Sequence, residues 1–139
     1  MERWRLLLIP LFILGMVMYM LSFHSGEESF LQKRREKNIT FLSGGVSERE
    51  RENLQEMGKK YSLKLMFSKK KGEYLSDVTV KILDQMDKTI LTTVSNGPWF
   101  FINLPSGTYD LEVSFQKNRK RISQVKVEEK SQTVIGVQW

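Results

Sequence analysis

From Tyr61 onward the chain repeats a two-residue pattern. Tyr61, Leu63, Leu65 and Phe67 alternate with Ser62, Lys64, Met66 and Ser68, as in a strand with one face buried. Over Ser76–Leu83, Val78, Val80 and Ile82 fall on one face, with Thr79, Lys81 and Leu83 opposite; Thr89–Val94 reads as another strand. Trp99–Leu104 is an almost unbroken apolar and aromatic run, which predicts a strand covered on both faces. Alternation resumes over Thr108–Phe115, with Tyr109, Leu111, Val113 and Phe115 against Asp110, Glu112 and Ser114. In Arg121–Val127 the apolar residues Ile122, Val125 and Val127 lose strict phase, so a bulge is expected near Ser123. Ile135, Val137 and Trp139 restore the phase in the last strand. Seven strands, with turn signals every 8–12 residues or roughly so, predict an all-β, antiparallel sandwich over 61–139.

Between the two most apolar strands, Leu104-Pro105-Ser106-Gly107 has the chemistry of a type I turn, with proline presetting φ and glycine closing it. The pair is therefore expected as the central hairpin. Before the sandwich, Ser47-Glu48-Arg49-Glu50 reads as a capping box that opens a short amphipathic helix over 47–60. Its apolar face, Leu54, Met57 and Tyr61, is thin, so the helix is expected to cover an edge or end of the sandwich. Residues 24–46 show no sustained period and read as a linker.

Residues 1–23 read as a signal-anchor or transmembrane segment. The run Trp4–Phe23, after a short basic leader, is uncharged from Leu6 and about as long as a helix needs to cross a bilayer. The chain contains no alanine and offers poor cleavage sites, which favours an uncleaved anchor; cleavage would instead release a secreted domain. Arg3 and Arg5 before the segment are nearly balanced by Lys33, Arg34, Arg35 and Lys37 after it, so charge alone leaves orientation a near tie.

Composition then narrows the chemistry. The 139 residues include no cysteine, which excludes disulfides, thiolate metal sites and a cysteine nucleophile. The one histidine, His24, precludes a histidine cluster within one chain. No catalytic residue, cofactor site or metal site is assigned; Asp84 and Asp87 are too few to ligate calcium. The net charge of +6 is spread among acids, which suits a solvated surface better than a nucleic-acid footprint. Candidate surface-binding residues are Lys69, Lys70 and Lys71 in one loop, Lys117, Arg119, Lys120 and Arg121 in another, and Trp99. Trp99 and Trp139 also read as core or edge aromatics.

From about Leu63 to Val127 the order of motifs resembles the carboxypeptidase regulatory-like domain. The matching pieces are Tyr74-Leu75-Ser76-Asp77-Val78-Thr79-Val80 and Leu104-Pro105-Ser106-Gly107-Thr108-Tyr109. The resemblance implies a transthyretin-like (prealbumin-like) sandwich with the tyrosine packed under the turn. The chain is also similar to small exported bacterial proteins in which a stretch like Ser43-Gly44-Gly45-Val46 precedes a charged helix and the chain ends near a tryptophan like Trp139. That likeness implies an inner-membrane anchor through residues 4–23 with the domain facing the periplasm. The expected function is non-enzymatic: a tethered binding or structural module for an envelope protein or a glycan. The alternative is an anionic surface, lipid or nucleic acid, bound through the basic loops, nucleic acid being the less favoured. Hydrolases of the transthyretin-like class use several histidines, and this chain lacks them.

Overall fold

Positions that alternate in sequence turn inward together and meet across two sheets. The computed structural model describes residues 32–36 and 38–139. Two strands come first, β1 (Gln32–Glu36) and β2 (Ile39–Gly44), followed by helix α1 (Glu48–Gly58). The remaining strands are β3 (Leu63–Ser68), β4 (Val78–Leu83), β5 (Thr89–Ser95), β6 (Trp99–Asn103), β7 (Gly107–Phe115), β8 (Asn118–Val127) and β9 (Thr133–Gln138). One sheet has the order β1-β2-β6-β3-β9 and the other β5-β4-β7-β8. Between them lie Phe41, Leu65, Phe67, Phe100 and Ile102 from the first sheet and Val80, Ile82, Leu111 and Val113 from the second, all essentially inaccessible to water.

The seven expected strands are β3–β9, but the described residues hold nine. β1 and β2 occupy ground read as linker, and β2 is a central strand paired with β6. Its turn from β1 passes through Asn38 at φ 67, a conformation asparagine tolerates better than most residues. The sheets are not wholly antiparallel either: β3 and β9 run parallel, with Leu63 opposite Thr133 and Ser68 opposite Gln138. Residues 1–23 lie outside the described residues, among which no helix is long and apolar enough to cross a membrane.

A third correction concerns the expected central hairpin. The chain does reverse at Leu104–Gly107, but β6 lies in the first sheet and β7 in the second, so the corner is an arch between layers. Turn chemistry reports a reversal and not which strands then pair. The Ser62 hydroxyl holds this arch, accepting from the Leu104 amide at 2.8 Å and donating to the Leu104 carbonyl at 3.0 Å. Tyr109, buried beneath the corner, donates from its hydroxyl to the Pro105 carbonyl at 2.7 Å. Burial, with the nearby Asp84 charge, pushes the Tyr109 hydroxyl pKa up. Tyr109→Phe should cost about 1 kcal/mol, the usual worth of one such bond; urea unfolding with an unchanged m-value would measure it.

The bulge near Ser123 is present. Tyr109 pairs with Val125 and Leu111 with Ile122, so Ser123 and Gln124 together face Asp110. Helix α1 begins at Ser47, whose hydroxyl accepts the Glu50 amide at 3.2 Å, whereas the Glu50 carboxylate takes the Val46 amide (3.1 Å) rather than that of Ser47. The helix covers the outer face of the first sheet instead of an edge or end. There Leu54 joins Tyr61, Leu42 and Phe101 in a second small core, while Met57 remains 41% exposed. Phe101 is thus covered by the helix and Phe100 by the opposite sheet, which explains the unbroken apolar run of β6.

Candidate functional site

Strand directions decide which loops meet. β3 and β9 run the same way, so Ser68 and Gln138 share one end of the sandwich, called here the upper end. The registers place Trp99, Ser95, Ser114 and Gly44 there as well. The two basic loops, Lys69–Lys71 and the β7–β8 turn at Gln116–Lys117, therefore emerge at the same end.

Trp139 joins them. Its ring packs on Phe67 from one sheet (6.2 Å between centroids) and Phe115 from the other (6.0 Å). Its indole N–H donates to the Asn118 carbonyl at 3.3 Å, and its carbonyl accepts the Lys70 amide at 3.0 Å. The Lys120 ammonium lies 5.7 Å from the ring centre and donates to the Gln138 carbonyl. A shallow groove of about 590 Å³ is lined by Met66, Ser68, Lys70, Tyr74, Lys120 and Gln138. A neighbouring hollow of about 470 Å³ is lined by Lys69, Lys70, Lys71, Glu73 and Trp139. Among the described residues Lys70, Lys71, Lys117 and Arg119 form no ion pair, and all four are exposed; Lys69 is paired with Glu73 at 3.1 Å.

Arg121 does not join the site. Its guanidinium reaches Asp110 (2.8 Å), Asp87 (2.9 Å) and Glu112 (3.0 Å), fixing the outer face of the second sheet. Asp110 also accepts the Gln124 amide of the bulge at 2.9 Å. That amide and the Arg121 hydrogen bond hold the Asp110 carboxyl below the usual carboxylate range. A carboxyl depressed in this way stabilises the fold above its unfolded pKa and ceases to as pH falls through its folded value. Asp110→Asn should therefore lower Tm near neutrality. The variant and parent curves of Tm against pH should converge below the carboxylate range, and parallel curves would contradict this reading.

Trp99 is not a free platform. It is half-buried beside Phe101 in an edge-to-face contact (6.3 Å, 77°), and the Lys64 ammonium sits 3.8 Å from its ring centre. Lys64 is itself buried under α1 with Gln55 Oε1 at 3.4 Å, and burial pulls its pKa down. This cation packed between helix and sheet was not singled out by the sequence, where it occupies an ordinary polar phase. The Asp84 and Asp87 carboxylates have separate partners: that of Asp84 accepts the Met86 and Lys88 amides, and that of Asp87 binds Arg121. Among the described residues no three acids or histidines gather as a metal site requires.

What sequence could not supply was the centre of the site, Trp139, because its role depends on the end of β9 lying beside the start of β8. Searches of known protein families, curated proteins and solved structures found no match to the chain.

Proposed function

We propose that the chain is a non-enzymatic sandwich of the carboxypeptidase regulatory-like, transthyretin-like kind, tethered to the inner membrane through residues 4–23 and facing the periplasm. There it would serve as a binding or structural module for an envelope protein or a glycan. The observation that carries the tether is the order of events in the chain. Eighteen residues without a charge after Arg5 are followed, eight residues later, by the first strand of a packed two-sheet body. The parallel β3–β9 pair and the arches that pass the chain between sheets support the fold type. The charged groups best held in place, Arg121 with its three acids, act as structural ties on an open sheet face, which supports a binding body over a hydrolase.

Alkaline carbonate extraction and protease accessibility in spheroplasts test the tether. The full chain should stay with the membrane and lose its sandwich to external protease. Release by carbonate, or protection from the protease, would refute it. Crosslinking from native membranes should then recover an envelope protein or glycan as the partner. The joining of both basic loops at one end favours a second reading, contact with an anionic surface.

A further inference from the structure

We infer that the upper end of the sandwich is a lipid-facing surface that rests on anionic headgroups. The inference draws part of its support from the proposed tether, and three observations carry it.

The first is charge. Lys69, Lys70, Lys71, Lys117, Arg119 and Lys120 all lie exposed at or just below this end. Facing them are few acids: Glu73, already bound to Lys69, exposed Asp77, and Glu48 and Glu50 in the first turn of α1. Unpaired ammonium groups on loops are compact, hydrated cations suited to headgroup phosphates, and membrane-proximal basic clusters are drawn to anionic leaflets.

The second is Trp139 at the centre of these cations. Its ring is half-buried, with the Lys120 ammonium beside it. Tryptophan amid lysines is the composition of a membrane interface, where an amphipathic ring sits at headgroup level.

The third is where the chain enters. Gln32 pairs with Ser43 and Ser43 with Phe100, so β1 begins at the upper end. Only residues 24–31 separate Phe23 from Gln32, a span of about 30 Å at full extension. Glu27 and Glu28 in that stretch oppose the attraction and bring the acids of this end to six; the six loop cations, joined by Arg49 and Arg51 in the first turn of α1, keep the balance positive. The tether thus delivers this end to within reach of the bilayer, and its charge decides which face turns to the lipid. At the opposite end Asp84, Asp87, Glu128 and Glu129 are offset by Lys60, Lys88 and Lys130, so it carries no excess of positive charge and would face away.

The chain has no cysteine, so single labels can be placed freely. A fluorophore would be put at Gln138→Cys in the upper end or at Met86→Cys in the exposed lower turn, about 20–30 Å away along the strands. The full-length protein is then mixed with vesicles of phosphatidylcholine, alone or with phosphatidylglycerol, carrying a nitroxide on the headgroup. With phosphatidylglycerol, the label at 138 should be quenched several-fold more than that at 86, and high salt should remove the difference. Replacing Lys70, Lys71, Lys117 and Arg119 by glutamine should lower the docked fraction relative to the undocked about fivefold per cation. These side chains have no ion-pair partners, so an unchanged Tm confirms that the variant folds.

Flotation in high salt with phosphatidylcholine vesicles reads the tether separately. Flotation there with equal quenching at 138 and 86 in anionic vesicles overturns the lipid-facing end and leaves the tether standing. No flotation there, with salt-sensitive flotation on phosphatidylglycerol that the glutamine variant loses, overturns the tether and supports the lipid-facing end. Binding to neither vesicle overturns both. Binding of a duplex oligonucleotide with no preference between the two vesicles would also overturn the lipid-facing end.

Discussion

Gly97→Ala is expected to remove about 3–5 kcal/mol of stability and to lower Tm by about 15–30 °C. A β-carbon at Gly97 would lie 2.3 Å from the Gly44 carbonyl oxygen, 2.4 Å from its carbon and 2.7 Å from its Cα. All three atoms are backbone, so no side chain can swing aside to make room. The surroundings cannot give way cheaply either. Gly44 is held in register against Trp99, the Ser95 hydroxyl donates to the Gly97 carbonyl at 2.7 Å, and the Asn96 amide donates to the Ser43 hydroxyl at 3.1 Å. The next residue is also fixed, since the Pro98 carbonyl accepts the Phe67 amide at 2.8 Å. Relief requires either the loss of these bonds or a shift of β2 off β6. The control is Gly136→Ala on edge strand β9, where a β-carbon meets nothing within 4 Å. That change should be neutral or should raise stability by up to about 1 kcal/mol through the unfolded state. Chemical denaturation of both variants measures the contrast, and a Gly97→Ala protein within about 1 kcal/mol of the parent would refute the argument.

Gly58→Ala is expected to cost about 2 kcal/mol, although alanine is the better helix former. The gain in propensity is at most about 1 kcal/mol, and less at the last helical residue. Against it, the new carbon would lie 2.3 Å from the edge of the Phe101 ring. Phe101 cannot turn away, because it is wedged between Tyr61 (6.3 Å) and Trp99 (6.3 Å) and is only 1% exposed. Overpacking of this kind costs about 1–3 kcal/mol. The loss should be concentrated at α1, with its amides exchanging faster than those of β4 and β7. A rise in Tm would mean that the helix lifts without penalty and that the second small core contributes little.

Most of the strands legible in sequence alternate apolar and polar residues, and β6, covered on both faces, was legible because its apolar run is unbroken. β4 and β7 alternate because one side meets the core and the other is at least partly open to water; β3 alternates in sequence although its Lys64 side is buried under α1. β2 escaped notice because both of its faces are covered, Phe41 by the main core and Leu42 by α1. Its short apolar stretch also lies between a basic cluster and two glycines, a context that reads as a loop. The corner at Pro105 was read as a hairpin for a related reason: proline and glycine encode the reversal locally, while the choice of sheet is made by contacts such as that of Ser62, forty-two residues away. The basic loops were visible as composition. Their meeting was not, because it depends on β3 and β7, in different sheets, finishing at one end of the sandwich, where β9 joins them by lying parallel to β3. Nor could sequence separate Arg121 from its neighbours; only the fold sets Asp87, Asp110 and Glu112 around it.

That same parallel pair has a consequence for biosynthesis. One side of β3 is covered by β6, but the other waits for Thr133–Gln138, whose first residue is made seventy positions after Leu63 (133 − 63). At about 5–20 residues per second the gap lasts several seconds. Throughout that time a row of unsatisfied main-chain groups stands beside Leu65 and Phe67, open to any extended segment nearby. The sandwich therefore closes only after its last strand has been made, and chains cut short of Thr133 should be left to aggregation or proteolysis.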